Sequence, residues 1–114
     1  MSQLPVLDRR TLEHLGEELS DPAGALEFAQ IFVRLLPQRI DAVEAAFAAG
    51  AADAAVVALL SLHVSASMVG ACRLAEESSA ALALIGAPSE HGPAIARLRS
   101  LALECQSALG GIIL

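Results

Sequence analysis

Residues 53–73, DAAVVALLSLHVSASMVGACR, hold nineteen consecutive positions without Asp, Glu, Lys or Arg between the two charged ends. This is close to the ~20 residues that cross a bilayer as a helix. The stretch also contains serines, a histidine and many alanines, and it lacks the aromatic residues that anchor a span at the membrane interface. A helix that is apolar nearly all round is also typical of the centre of a soluble bundle. We expect the soluble bundle and no membrane contact, because the flanking segments are amphipathic and can pack on this helix.

Apolar residues recur at helical spacing in four segments of the chain. The predicted helices cover residues 8–19, 22–49, 53–85 and 89–109. Asp8, Asp21 and Ser89 are placed to cap the first, second and fourth of them. Pro37 lies inside the second helix, where its missing N–H predicts a kink, and Gly50 predicts the end of that helix. The pattern predicts an all-α fold, an antiparallel four-helix bundle of up-down topology with its short first helix across one end.

Composition and charge exclude several classes of function. A chain of 114 residues suits one domain, 1–114. Its net charge of −6 disfavours nucleic acid and anionic membrane surfaces, because both require clustered cations. Cys72 and Cys105 form no zinc pattern and are expected to be reduced, buried thiols of a cytoplasmic protein. No histidine has a Glu three residues before it, as a di-iron bundle requires, so we expect no metal and no cofactor.

His63 is an unusual residue, because it lies in the middle of the most apolar predicted helix. It is either a partly buried imidazole bonded to a serine hydroxyl or a carbonyl, or an exposed reactive group on the bundle surface. Position alone favours the buried group. Other polar residues are expected to have no functional role: His14, His91, Arg34, Arg39 and Arg73.

Residues 59–74, LLSLHVSASMVGACRL, resemble the central signature of histidine-containing phosphotransfer (HPt) domains, which begins A-H-x-L-K-G-S and continues to a G-A pair. Aligned without a gap, five residues match this signature and are expected to pack inside the bundle: Leu62, Ser65, Gly70, Ala71 and Leu74. Segments 7–19 and 32–54 resemble the first two helices of the same family. The resemblance therefore covers nearly the whole chain and implies an HPt-like bundle.

The sequence departs from the family at the position that carries the chemistry. In the gapless alignment Leu60 stands where the family has its phospho-accepting His, His63 where it has a Lys and Val64 where it has a small Gly. The family's Lys helps to neutralise the phosphoryl group, and its Gly leaves room for the phosphorylated imidazole. An alternative alignment, with His63 itself as the acceptor, loses the Leu, Lys and Gly matches, so we prefer the gapless one.

His63 nevertheless remains the candidate phospho-acceptor. Three residues along a helix rotate it by about 60° from position 60 and move it about 4.5 Å along the axis, so we expect it to be only partly exposed. No Lys is present, and the nearest cation in sequence, Arg73, is about 15 Å further along a continuous helix. We therefore expect transfer through His63 to be slow or absent.

The resemblance implies a phosphoryl carrier or binding module of a two-component pathway rather than a turnover enzyme. Its partners would be the receiver domain of a response regulator or a hybrid sensor kinase. The partner-docking face is predicted to comprise Leu59, Leu60, Val64 and Ser67, with Leu60 unusually exposed. The alternative is a structural or dimerisation bundle in which the same apolar residues form the contact. The sequence leaves the oligomeric state open.

Overall fold

Five α-helices account for most of residues 4–113, the part of the chain that the computed structural model describes. They are α1 (Arg9–Glu18), α2 (Pro22–Ala48), α3 (Ala52–Val69), α4 (Cys72–Leu82) and α5 (His91–Ile113), with a short 3₁₀ helix over Pro88–Glu90. No strand occurs among the described residues. The all-α class predicted from the sequence is confirmed.

The first two helices begin where the capping residues predict. Asp8 accepts a hydrogen bond from the backbone N–H two residues on, at 3.1 Å, and Asp21 accepts one from the N–H three residues on, at 2.9 Å. Pro22 occupies the start of α2, where its missing N–H leaves no bond unmade. α2 then continues through Pro37 without interruption. Gly50 follows it in the left-handed conformation, as predicted.

Gly70 divides the single helix that the sequence predicted over 53–85, so that prediction is wrong. Its φ of +81° is left-handed. The N–H groups of Gly70 and Ala71 bond back to the carbonyls of Ser67 and Ala66 at 3.3 and 2.8 Å, which closes α3 with a Schellman motif. The chain then reverses, and α4 lies antiparallel beside α3. Alanine-rich sequence on both sides favours helix, so hydropathy alone conceals the turn.

Helices α2 to α5 form the antiparallel four-helix bundle. Polar contacts join each neighbouring pair: Arg39–Ser61, His63–Ala75, Arg73–Glu104 and Asp41–Arg99. The up-down topology is as predicted, but the four helices of the bundle, α2 to α5, are not the four helices that the sequence predicted. The predicted third helix supplies two members of the bundle, α3 and α4.

The short helix α1 lies across one end of the bundle, over the turn between α3 and α4. The N–H of Asp8 donates to the carbonyl of Gly70 at 2.7 Å. A Cβ on Gly70 would lie 2.6 Å from the carbonyl oxygen of Asp8 and 2.9 Å from Cβ of Thr11. Only glycine therefore allows this approach of α1 to the turn.

One hydrophobic core joins α1 to all four bundle helices. Its largest fully buried members are Leu36, Ile40, Val43, Leu59, Leu62, Val69, Leu74 and Leu98. Helix α3 has the length and composition of a membrane span. Its buried residues, 28% of the helix, belong to this core.

The last helix differs from its prediction at both ends. Ser89 lies in the 3₁₀ helix, and α5 begins at His91 instead of being capped by Ser89. It also continues through Gly110 and Gly111, because the propensity of single residues is a weak constraint near the end of a long helix. Of the predicted apolar tail over 112–114, Leu114 lies outside the described residues.

His91 connects the turn before α5 to the end of α2. Its Nε2 lies 2.9 and 3.0 Å from the carbonyl oxygens of Leu84 and Ile85, and its ring stacks on Phe47 with centroids 3.9 Å apart. The role of His91 in the structure is therefore to hold the far end of the bundle together.

Candidate functional site

The outer side of α3 is exposed and apolar. Five large side chains that are 37% to 68% exposed lie on it: Val56, Val57, Leu60, Val64 and Met68. We call these five residues the α3 face. Their spacing places them within about 120° of one another around the helix, with Leu60 near the middle. An apolar surface of this kind on a small protein is typical of an interaction site.

Two adjacent leucines of the predicted docking face have opposite environments. Leu60 is 45% exposed, as predicted, and Val64 and Ser67 are also exposed. Leu59 is completely buried in the core, so its assignment to the docking face is wrong. Successive helical residues differ by about 100°, which turns Leu59 inwards when Leu60 points out.

The residues that match the family signature are placed mostly as predicted. Leu62, Gly70, Ala71 and Leu74 are buried. Ser65 is only half-buried and does not belong to the hydrophobic core. It lies at the border between α3 and α2, where its hydroxyl accepts a hydrogen bond.

His63 lies at the opposite border of the α3 face, next to α4. Its Nδ1 is 2.8 Å from the carbonyl oxygen of Ala75. Because a carbonyl only accepts, Nδ1 carries the hydrogen, and in the neutral ring only Nε2 keeps a lone pair. The ring is half-buried, as predicted. A backbone carbonyl is one of the two partners predicted for a buried imidazole at this position, the other being a serine hydroxyl.

Arg39 of α2 is the cation beside the α3 face, and sequence reasoning gave it no role. Its Nη1 donates to the hydroxyl oxygens of Ser61 and Ser65, each at 3.3 Å. The two serines are one helical turn apart, which is the only signal in the sequence for a shared partner. The partner itself could not be identified without the register of α2 against α3.

Arg73, expected to be the nearest cation along a continuous helix, lies beyond the turn at Gly70. Its Nε donates to the carbonyl of Leu4 at 2.6 Å, and its Nη1 pairs with Glu104 at 3.8 Å. The break between α3 and α4 therefore removes Arg73 from the α3 face. Arg39 is closer to the face because it belongs to a neighbouring helix.

An open groove separates α2 from α3 beside the α3 face. Its walls carry Arg39 and Ala42 from α2 and Asp53, Val57 and Ser61 from α3. The groove is mainly apolar, and its walls carry two charged groups, the guanidinium of Arg39 and the carboxylate of Asp53.

Neither cysteine is suited to nucleophilic chemistry. Burial raises the pKa of Cys105 to about 11, and Glu104 adds to this effect. Burial, followed by the nearby charge of Asp8, also raises the pKa of Cys72. Both thiols are unpaired and stay protonated at neutral pH. No group of three or more His, Cys, Asp or Glu placed to hold a metal occurs in the part of the chain that the structure describes.

Comparison with solved structures identifies a protein of the same fold. Histidine-containing phosphotransfer protein B (HptB) from Pseudomonas aeruginosa PAO1 superposes with a TM-score of 0.80, covering 94% of this chain and 93% of that chain at 21% sequence identity. Neither the protein-family models nor the curated proteins give a match. The HPt-like fold that the resemblance implied is confirmed, and at this identity the likeness extends to the fold alone.

Proposed function

We propose that this chain is an HPt-like phosphorelay module that binds the receiver domains of response regulators or hybrid sensor kinases through its α3 face. Phosphotransfer through His63 is impaired or absent. The observation that carries the proposal is Leu60, an exposed leucine in the middle of the α3 face of an HPt-like bundle. In the gapless alignment this is the acceptor position.

The chemistry of the α3 face argues against efficient transfer. Taking a phosphoryl group from an aspartyl phosphate needs an accessible neutral imidazole nitrogen, and the side chain of Leu60 has no nucleophile. The ring of His63 is half-buried, and the hydrogen bond from Nδ1 to Ala75 restricts how far Nε2 can turn towards a partner. Val64 adds branched bulk where the family has a small residue. Binding without transfer fits this arrangement better than a phosphate shuttle.

Labelling experiments test the proposal. Wild-type protein incubated with phosphorylated receiver domains should acquire little or no acid-labile phosphate. A variant that restores the family signature, Leu60→His with His63→Lys and Val64→Gly, should be labelled on residue 60. All three positions lie outside the hydrophobic core, and a circular dichroism spectrum of the variant checks that it folds without the His63–Ala75 hydrogen bond.

Two outcomes would contradict the proposal. Rapid stoichiometric labelling of the wild type that His63→Gln abolishes would show that the acceptor has moved to His63. Failure of the restored variant to label with any receiver, together with no receiver binding by the wild type, would favour a purely structural bundle.

The alternative function is self-association through the same surface. The continuous apolar side of α3 supports it, because such a surface is also typical of homodimers. Sedimentation of the wild type and of Leu60→Asp distinguishes the two functions. A dimer that the substitution converts to a monomer, with no binding of receivers, would support the alternative.

A further inference from the structure

Arg39 differs from the other arginines that join the bundle helices. Arg73, Arg97 and Arg99 each pair with a carboxylate of a neighbouring helix. Arg39 instead bonds to the neutral hydroxyls of Ser61 and Ser65. These bonds hold the guanidinium at the border of the α3 face without cancelling its charge. Among the described residues no carboxylate pairs with Arg39, although the net charge of the chain is −6.

We propose that Arg39, Ser61 and Ser65 form an anion site that binds the phosphoryl group of a phosphorylated receiver domain docked on the α3 face. The chain would then bind phosphorylated receivers in preference to unphosphorylated ones. This inference rests on the proposed function and adds the state of the partner that the face recognises.

The donors at this site are sufficient for a phosphoryl group. A guanidinium has five N–H donors, and only Nη1 of Arg39 is bonded among the described residues. Ser61 and Ser65 accept from Arg39 and keep their own hydroxyl hydrogens to donate. A phosphoryl group offers three acceptor oxygens and close to two negative charges, which matches a guanidinium flanked by two hydroxyls.

The location of the site agrees with the proposed docking. Ser61 lies about 100° from Leu60 around α3, at the border of the α3 face with α2. An HPt-like domain would bring the phosphoryl group to the acceptor position, Leu60. The leucine cannot accept it. The group therefore stays on the receiver's aspartate and contacts Arg39 and the serines non-covalently. The α3 face would recognise the phosphorylated state without consuming it.

Calorimetric titration with receiver domains encoded in the same genome tests the inference. Each receiver is titrated alone and with beryllofluoride, which mimics the aspartyl phosphate. We expect the wild type to bind the beryllofluoride form about tenfold more tightly, the range of one charge-assisted contact. Arg39→Gln should bring the two affinities close together, and Arg39→Lys should keep part of the preference because it keeps the charge.

Arg34→Gln is the matched control, because Arg34 is exposed on the same helix and points about 140° away from Arg39. It should leave the preference unchanged. If thermal melting shows that Arg39→Gln is unstable, the double variant Ser61→Ala with Ser65→Ala replaces it in the titrations. This variant should reduce the preference for the beryllofluoride form of the receiver.

Failure of the anion site and failure of receiver binding would give different results. Equal affinity of the wild type for both receiver forms would overturn the anion site while leaving receiver binding intact. An equal loss of affinity for both forms in Arg39→Gln would also overturn it, since Arg39 would then pair with an ordinary carboxylate of the partner. If no receiver binds in either form, both this inference and the proposed function fail.

Discussion

The side chain of His63 joins two helices of the bundle. Its Nδ1–H joins α3 to the carbonyl of Ala75 in α4, across the turn at Gly70. The hydroxyl of Ser67 donates in turn to the carbonyl of His63 at 2.8 Å. An imidazole held in this way has a fixed tautomer and little freedom to rotate towards a partner.

Replacing His63 with alanine should therefore lower the free energy of unfolding by about 1–2 kcal/mol, because one hydrogen bond and part of the ring packing are lost. Urea unfolding followed by circular dichroism measures the change. His14→Ala is the control, since His14 is exposed and pairs only with Glu17 and Glu18 of its own helix. It should change the stability by less than about 0.5 kcal/mol. Equal effects of the two substitutions would contradict a role for His63 in joining α3 to α4.

The turn between α3 and α4 decides how the helices are arranged. Gly50 and Gly70 end α2 and α3 with the same pattern of backbone hydrogen bonds, and both have positive φ. Their surroundings differ, because nothing lies within 4 Å of the place where a Cβ on Gly50 would stand. Gly70 is instead covered by α1.

Gly70→Ala should consequently destabilise the protein more than Gly50→Ala does. Both substitutions place a Cβ in the left-handed region, at a cost of about 1 kcal/mol. At Gly70 the new methyl group also meets the backbone of Asp8, which should add about 1–3 kcal/mol of overpacking. Denaturation midpoints of the two variants measure the difference. Similar midpoints for the two variants would contradict this prediction, because they would mean that α1 shifts away from the new methyl group without loss of stability.

Across the bundle, burial separates the residues that stabilise the fold from those that stay exposed on the α3 face. Leu59 and Leu62 turn inwards and have no exposed surface, whereas Leu60 and Val64 are about half exposed. The same helix therefore serves both the core and the α3 face.

Leu59→Ala should cost about 2–5 kcal/mol of stability, the usual range for a buried leucine in a core. Leu60→Ala should change the stability by less than about 0.5 kcal/mol and should weaken receiver binding. Thermal or urea unfolding, combined with the receiver titrations, measures both effects. A large loss of stability in Leu60→Ala would mean that the α3 face is structural.

Local sequence determined the helical class, the caps at Asp8 and Asp21 and the end of α2 at Gly50. These features depend on spacing and on short-range hydrogen bonds, which the order of residues along the chain specifies. The exposure of Leu60 was predicted from the HPt resemblance, and the partial exposure of His63 from its rotation of about 60° from that position around the helix.

Tertiary structure alone decided the break at Gly70, the burial of Leu59 and the position of Arg39. At Gly70 the chain turns where α1 packs against it, and the alanine-rich sequence on both sides does not specify that contact. Two adjacent leucines can be told apart only when the direction of the core is known. Arg39 and Ser61 are 22 residues apart in the chain, and the packing of α2 against α3 brings them into contact. Such contacts depend on the register between helices, which the hydropathy pattern of either helix does not specify.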